Sequence, residues 1–151
     1  MEVEIEKLDY EGKGIARCDS KVLFIPRTLP GEFAKVKAVK ENKNYSICTL
    51  EELIKKNEDR VPSYCPYASK CGGCTYDIVP YTKSLEYKKE SIKELLNKNG
   101  ISLDEITIEP SIVPLHYRNK ITLKVENHLV GYYQKESHTF IQVKNLSLIH
   151  I

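Results

Sequence analysis

The run Cys65-Pro66-Tyr67-Ala68-Ser69-Lys70-Cys71-Gly72-Gly73-Cys74 constrains this chain more than any other stretch, because it sets three thiols at C-x5-C-x2-C spacing. Cysteines used for packing scatter along a chain. Metal-binding ones cluster, because one ion or cluster must be reached by several sulfurs at about 2.3 Å. Gly72 and Gly73 free the backbone to fold back so that Cys71 and Cys74 can face one point. The spacing departs from the paired C-x2-C modules of zinc ribbons. The residues alone leave an iron–sulfur centre, a zinc site, a redox pair and packing open.

Composition narrows the setting. The chain has 151 residues with 23 basic and 21 acidic side chains, a net charge of +2, so any nucleic-acid contact must come from local patches. A hydrophobic content of 41% suffices for a globular core. No apolar run approaches the roughly 20 residues of a membrane span, and no membrane partner is expected. The opening Met1-Glu2-Val3-Glu4-Ile5-Glu6 is acidic and alternating, unlike a signal peptide. A cytoplasmic location follows as the expectation, where clustered thiols read as metal ligands or redox groups rather than disulfides.

Residues 1–54 have a strand rhythm. Val3 and Ile5 alternate with glutamates, Val22 to Ile25 is an apolar strand ended by Pro26, and Tyr45, Ile47 and Thr49 alternate again. Gly12-Lys13-Gly14 and Leu29-Pro30-Gly31-Glu32 read as turns, so this segment is expected to be an OB-like β-barrel. Cys18 and Cys48 fall within it as packing thiols. Residues 55–80 comprise a charged linker, Lys55 to Pro62, and then the cysteine loop. Tyr81 to Asn99 is the one long helix, with Leu85, Ile92, Leu95 and Leu96 along a stripe and Asn99-Gly100 as its stop. Strands are expected at Ile106–Ile108, Ile121–Val125, Leu129–Tyr133 and Phe140–Val143, with Asn127-His128 as a hairpin turn. The fold class is mostly β with one long helix.

The order of these pieces resembles the RNA (uracil-5-)-methyltransferase family. Gly12-Lys13-Gly14-Ile15-Ala16-Arg17, Val22-Leu23-Phe24-Ile25-Pro26 and Leu29-Pro30-Gly31-Glu32 look like its TRAM domain. The cysteine loop is similar to its iron–sulfur motif, and Tyr117-Arg118-Asn119-Lys120 with Gly131-Tyr132-Tyr133 to its central β domain. The resemblance implies a TRAM barrel at 1–54 and a linker with iron–sulfur loop at 55–80. It implies a helix segment at 81–105 facing a methyltransferase domain, and a partial central β domain at 106–145. It implies a 4Fe-4S cluster on Cys65, Cys71 and Cys74 and an RNA partner, 23S rRNA or tRNA. S-adenosylmethionine, the nucleophilic cysteine and the general base would belong to a C-terminal domain that this chain lacks. The chain alone is therefore expected to be inactive, with no catalytic or methyl-donor residue of its own.

One position departs from the family. Its fourth cysteine ligand follows a Val-Lys-x pattern, and here Val143-Lys144-Asn145 is followed by Leu146, which cannot ligate iron. Residues 146–151 read as an adapter-derived tail rather than native sequence. Lys13, Arg17, Arg27, Lys43 and Tyr45 in the barrel, with Arg118 and Lys120 beyond the helix, are the expected RNA contacts. Cations would hold phosphates, and tyrosine would stack on a base. Two other functions fit the residues: a free-standing RNA-binding adaptor and a zinc-stabilised structural module. The Leu85/Ile92/Leu96 stripe, left partly bare, predicts self-association.

Overall fold

A computed structural model describes residues 1–71, 73–117, 119–134 and 138–144. The first strands are β1 (Glu2–Glu4), β2 (Lys7–Leu8), β3 (Gly14–Cys18), β4 (Lys21–Ile25), β5 (Phe33–Glu41) and β6 (Tyr45–Lys55). They form one sheet in the order β1-β5-β6-β4-β3-β2, antiparallel except for the parallel β4/β6 pair. Alternation sorts the side chains as the sequence indicates. Val3, Ile5, Ala16, Leu23, Ile25, Ala34, Val36 and Cys48 form the core, and the intervening glutamates and lysines face solvent.

Strand pairing does not close this sheet into a complete barrel. Its two edge strands, β1 and β2, are instead halves of one segment separated by Ile5 and Glu6. The Ile5 amide donates to the Glu32 carbonyl beside β5, and the Glu6 amide donates to the Ile15 carbonyl of β3. The edges thus meet where the chain crosses from one to the other, which leaves few unpaired edge groups. Gly14 is fixed by this crossing: a Cβ there would lie 2.0 Å from Thr28 Oγ1 and 2.9 Å from Ile5 Cγ2.

Residues 55–62 are not a free linker. β6 runs on to Lys55, and the next residues are fastened to the sheet by Glu32, whose side chain has no exposed surface. Arg60 donates to both Glu32 carboxylate oxygens, at 2.5 and 2.7 Å, and to the Arg27 carbonyl at 2.9 Å. The amides of Leu29 and Asn57 complete the carboxylate's shell. A charged, polar composition therefore misled because one of its charges, Arg60, is spent on a buried carboxylate, while Lys55, Lys56 and Glu58 remain exposed.

Beyond the cysteine loop, which contains the single-turn α1 (Ala68–Cys71), lies α2 (Tyr81–Lys98). Its buried positions are Ser84 and Ser91, not the leucine stripe. Each serine hydroxyl turns back to its own helix, Ser84 to the Tyr81 carbonyl and Ser91 to the Tyr87 carbonyl, so the small side chains permit close approach. Ile92 and Leu95 are exposed, while Leu85 and Leu96 are half-buried. Lys7 of β2 is ion-paired with Glu94, which holds that carboxyl below its ordinary range chiefly by its hydrogen bond.

The second sheet has three strands, β7 (Lys124–Glu126), β8 (Leu129–Tyr133) and β9 (Phe140–Gln142), antiparallel in that order. Asn127 and His128 both have positive φ, the geometry of a two-residue hairpin turn. The strand expected at Ile106–Ile108 is irregular backbone, and the one expected at Ile121–Val125 begins only at Lys124. Residues 106–108 and 121–123 are apolar enough for strands, but neither run has a paired neighbour among the described residues. No helix of the described residues is long and apolar enough to cross a membrane.

Removing Arg60 while keeping Glu32 leaves a buried carboxylate without its counter-charge. Arg60→Met should cost about 3–5 kcal/mol and Arg60→Met/Glu32→Gln appreciably less, as read from urea denaturation. The Lys7–Glu94 pair is surface-lying, with side chains 40% and 34% exposed, so Lys7→Met should cost under about 1 kcal/mol at pH 7. Because the Glu94 carboxyl is depressed on folding, that contribution is full above about pH 4.3 and fades as pH falls through the lowered folded value. The same substitution should be neutral at about pH 2.

Candidate cysteine loop and nucleic-acid interface

The loop turns on its own hydrogen bonds. The Ser63 hydroxyl accepts from the Cys65 amide, the Cys65 carbonyl from the Ala68 amide, and the Tyr67 carbonyl from the Lys70 and Cys71 amides. The single turn of α1 thereby carries Cys71 back towards Cys65. Gly73 passes so near that a Cβ on it would sit 3.3 Å from Cys71 Sγ. Cys65, Cys71 and Cys74 are all free and half-buried. Burial pushes the Cys74 thiol up, and the charges of Asp77, Cys65 and Cys71 push it further, against Arg27. The three sulfurs thus share one electrostatic neighbourhood. Their chemistry suits a thiophilic metal or an iron–sulfur cluster. Among the described residues, however, no three His, Cys, Asp or Glu side chains are grouped as ligands of one ion.

What holds the loop against the first sheet is a set of contacts around residues 75–79. Gly12, at φ +79°, lies against Thr75 and Tyr76, where a Cβ would meet Thr75 Cγ2 at 2.4 Å. The turn between β2 and β3 is therefore a docking surface as well as a hairpin. Arg27 Nη1 donates to both oxygens of Asp77, at 2.9 and 3.2 Å, and that carboxylate has no exposed surface. Leu29 packs with Ile78 and Val79, joined by Tyr76 and Tyr87. The Val61 amide donates to the Ile78 carbonyl, and Lys88 of α2 lies over the Tyr76 ring. From the other side, the Lys144 amide donates to the Tyr67 hydroxyl at 3.0 Å, so the end of the second sheet also reaches the loop.

The expected RNA contacts fall into different settings. Arg27 commits its guanidinium to Asp77 and is 24% exposed. Lys13 is 21% exposed and ion-paired with Glu11. Arg17 is well exposed and stands 3.6 Å from Glu6. Lys43 is exposed in the turn between β5 and β6, and Tyr45 opens β6 with its ring edge-on to Phe24, 5.8 Å between centroids. Lys120 is exposed at the approach to β7, and so lies apart in the sequence from the residues of the first sheet. Arg118 and Leu146 lie outside the described residues. Asp77, Arg60 and Phe24 were not singled out from sequence. Asp77 could have been noticed as an acid three residues after the last cysteine, but nothing in the pattern marks it as buried.

Comparison with known proteins agrees with this organisation. Residues 1–50 match the TRAM domain. Across 99% of its length the chain is 35% identical to an uncharacterized RNA methyltransferase of Halalkalibacterium halodurans, of which it covers 34%. It is 37% identical to one of Oceanobacillus iheyensis over 97% of the chain and 32% of the relative, and 30% identical to one of Thermotoga maritima over 95% and 33%. Its fold follows that of a Pyrococcus abyssi tRNA (uracil-54, C5)-methyltransferase with a TM-score of 0.71 at 22% identity, covering all of this chain and 33% of that one. A TRAM match at residues 1–50 is therefore joined to a sequence similar along its length to RNA methyltransferases. The chain spans about one third of the length of the curated relatives it matches.

The dock is testable without any ligand. Gly12→Val and Asp77→Asn should each loosen residues 63–77 while the sheet stays folded. Amide hydrogen exchange should speed up in that stretch at least about tenfold and remain unchanged in β3 to β6. Equal protection of the loop in the variants would contradict the dock.

Proposed function

We propose that this chain is the RNA-binding and cluster-bearing N-terminal portion of an S-adenosylmethionine-dependent RNA uracil-C5 methyltransferase, acting in the cytoplasm on 23S rRNA or tRNA. The observation that carries the reading is continuity. One packed unit runs from the TRAM sheet through the cysteine loop to α2, and sequence identity to RNA methyltransferases runs along the same length. Methyl transfer, the methyl donor and the catalytic residues are assigned to the part of the full-length protein beyond this chain, so the chain alone catalyses nothing. The unit divides functionally at 54, 80, 105 and 145.

Cys65, Cys71 and Cys74 would hold a 4Fe-4S cluster with a fourth thiolate at position 146, where this chain carries leucine. The bond from Lys144 to Tyr67 supports that reading, since it brings the backbone two residues before that position to the loop. When bound, the cluster supplies a rigid cross-link rather than an electron, because adding a methyl group to uracil changes no redox state of the protein. The chain's own residues do the positioning: Asp77 and Arg27 fix the loop to the sheet, and Gly12 lets it approach. Arg17, Lys43, Lys120 and Arg118 are the proposed phosphate contacts, with Lys13 and Arg27 restrained by Glu11 and Asp77. Exposed Ile92 and Leu95 on α2 offer the surface for self-association.

RNA binding by the whole chain tests this reading. Affinity for an oligoribonucleotide should fall with salt at a log–log slope of about −3, as four phosphate contacts at about −0.7 each would give. With S-adenosylmethionine added, no methyl group should be transferred. Absence of RNA binding at low salt would overturn the reading in favour of a purely structural module.

A further inference from the structure

The outer face of β4 and β6 carries a feature that phosphate contacts do not explain. In the parallel β4/β6 pair, Val22 stands opposite Tyr45 and Phe24 opposite Ile47. Their neighbours Leu23, Ser46 and Cys48 are buried on the inner side, so these four side chains share the outer side. The register extends the face across the sheet. Ile15 of β3 lies opposite Phe24, Arg17 opposite Val22, and Lys40 of β5 opposite Ile47. The Tyr45 side chain is the exposed member at 40%, with Phe24 standing against it at 80° between ring planes.

Charge surrounds this apolar strip on both sides. Lys37 and Lys40 border it on β5, Lys43 stands at the turn leading into Tyr45, and Arg17 borders it on β3. Of the bordering acids, Glu41 is paired with Lys21 at 3.0 Å and Glu6 faces Arg17 at 3.6 Å. Among the described residues, Lys37, Lys40 and Lys43 have no ion-pair partner. An aromatic pair set in an apolar strip and rimmed by uncommitted cations is complementary to a polyanion that also presents flat unpaired faces. A fully paired duplex offers phosphates but no free base face.

We propose that Tyr45 and Phe24, seated between Val22 and Ile47, form a stacking subsite for an unpaired base of single-stranded RNA, with Arg17, Lys40 and Lys43 holding the flanking phosphates. This rests on the RNA-binding reading above and adds the state of the RNA and the face that receives it. Tyr45 presents the accessible ring. Phe24 holds it upright from the neighbouring strand, so Phe24 acts as a positioning residue with partial access of its own. Lys37 extends the positive rim along the strand.

The test uses the whole chain and fluorescence anisotropy with labelled decauridylate and with a blunt, fully paired RNA duplex. Tyr45→Leu and Phe24→Leu keep an apolar side chain and remove the π face, and Tyr45→Leu alters an exposed position that folding does not require. Each should weaken decauridylate binding by at least about fivefold at an unchanged salt slope, and leave duplex binding unaltered. Lys40→Gln/Lys43→Gln should instead flatten the slope by about 1.4, two contacts at about 0.7 each. If the unsubstituted chain binds decauridylate and Tyr45→Leu, folded by circular dichroism, binds it equally well, the subsite is overturned while the RNA-binding reading stands. If the unsubstituted chain binds neither RNA, both fall together.

Discussion

Glu32 and Asp77 are carboxylates with no exposed surface, and each takes its counter-charge from an arginine in a different segment: Arg60 for Glu32, Arg27 for Asp77. Arg27 and Glu32 flank the turn between β4 and β5, while Arg60 and Asp77 flank the start and end of the cysteine loop region. The two pairs cross-stitch one turn to one loop. They are further linked because Arg60 donates to the Arg27 carbonyl, which helps to hold Arg27 at φ +63°, a backbone state costing about 1–3 kcal/mol for a residue with a side chain. A buried ion pair is a poor source of net stability but a strong source of specificity, since any arrangement that separates the partners strands a charge in the interior. Here the specificity fixes where the loop sits. The apolar contact of Leu29 with Ile78 and Val79 then has a single register in which to form.

Much of this was legible in the sequence, for physical reasons that differ by element. Alternation at Val3/Ile5 and at Tyr45/Ile47/Thr49 reports strands with one face to solvent. The Asn99-Gly100 stop and lysine-rich repeat report α2. Asn127-His128 reports a hairpin, because a two-residue loop needs two residues that tolerate positive φ. Pattern failed where long-range partners decide. Ile106–Ile108 has strand composition and no strand beside it. α2 buries Ser84 and Ser91 because close approach, not hydrophobicity, governs that contact. Residues 55–62 looked like solvated linker because composition cannot distinguish a solvated arginine from one aimed at a buried glutamate. The same blindness hid Asp77, and it hid Phe24, which reads as an ordinary core residue until its register with Ile47 turns it outward.

Two features sit apart within one small body. The three cysteines lie on the loop that precedes the dock at residues 75–79, and the aromatic strip with its lysines lies on the outer face of β4 and β6. Asp77 belongs to both sides of this division: it raises the Cys74 thiol through its charge and anchors Arg27 of the sheet. The cysteine loop is therefore joined to the sheet by packed, paired contacts.

Anaerobic reconstitution with iron and sulfide, followed by metal and acid-labile sulfide analysis and a visible spectrum, tests the account most directly when applied to this chain and to Leu146→Cys. The account predicts a stable brown centre with about four irons and four sulfides in the variant and a weak or absent one in the unsubstituted chain. Stoichiometric zinc without sulfide in both would contradict it and make the loop a structural zinc site.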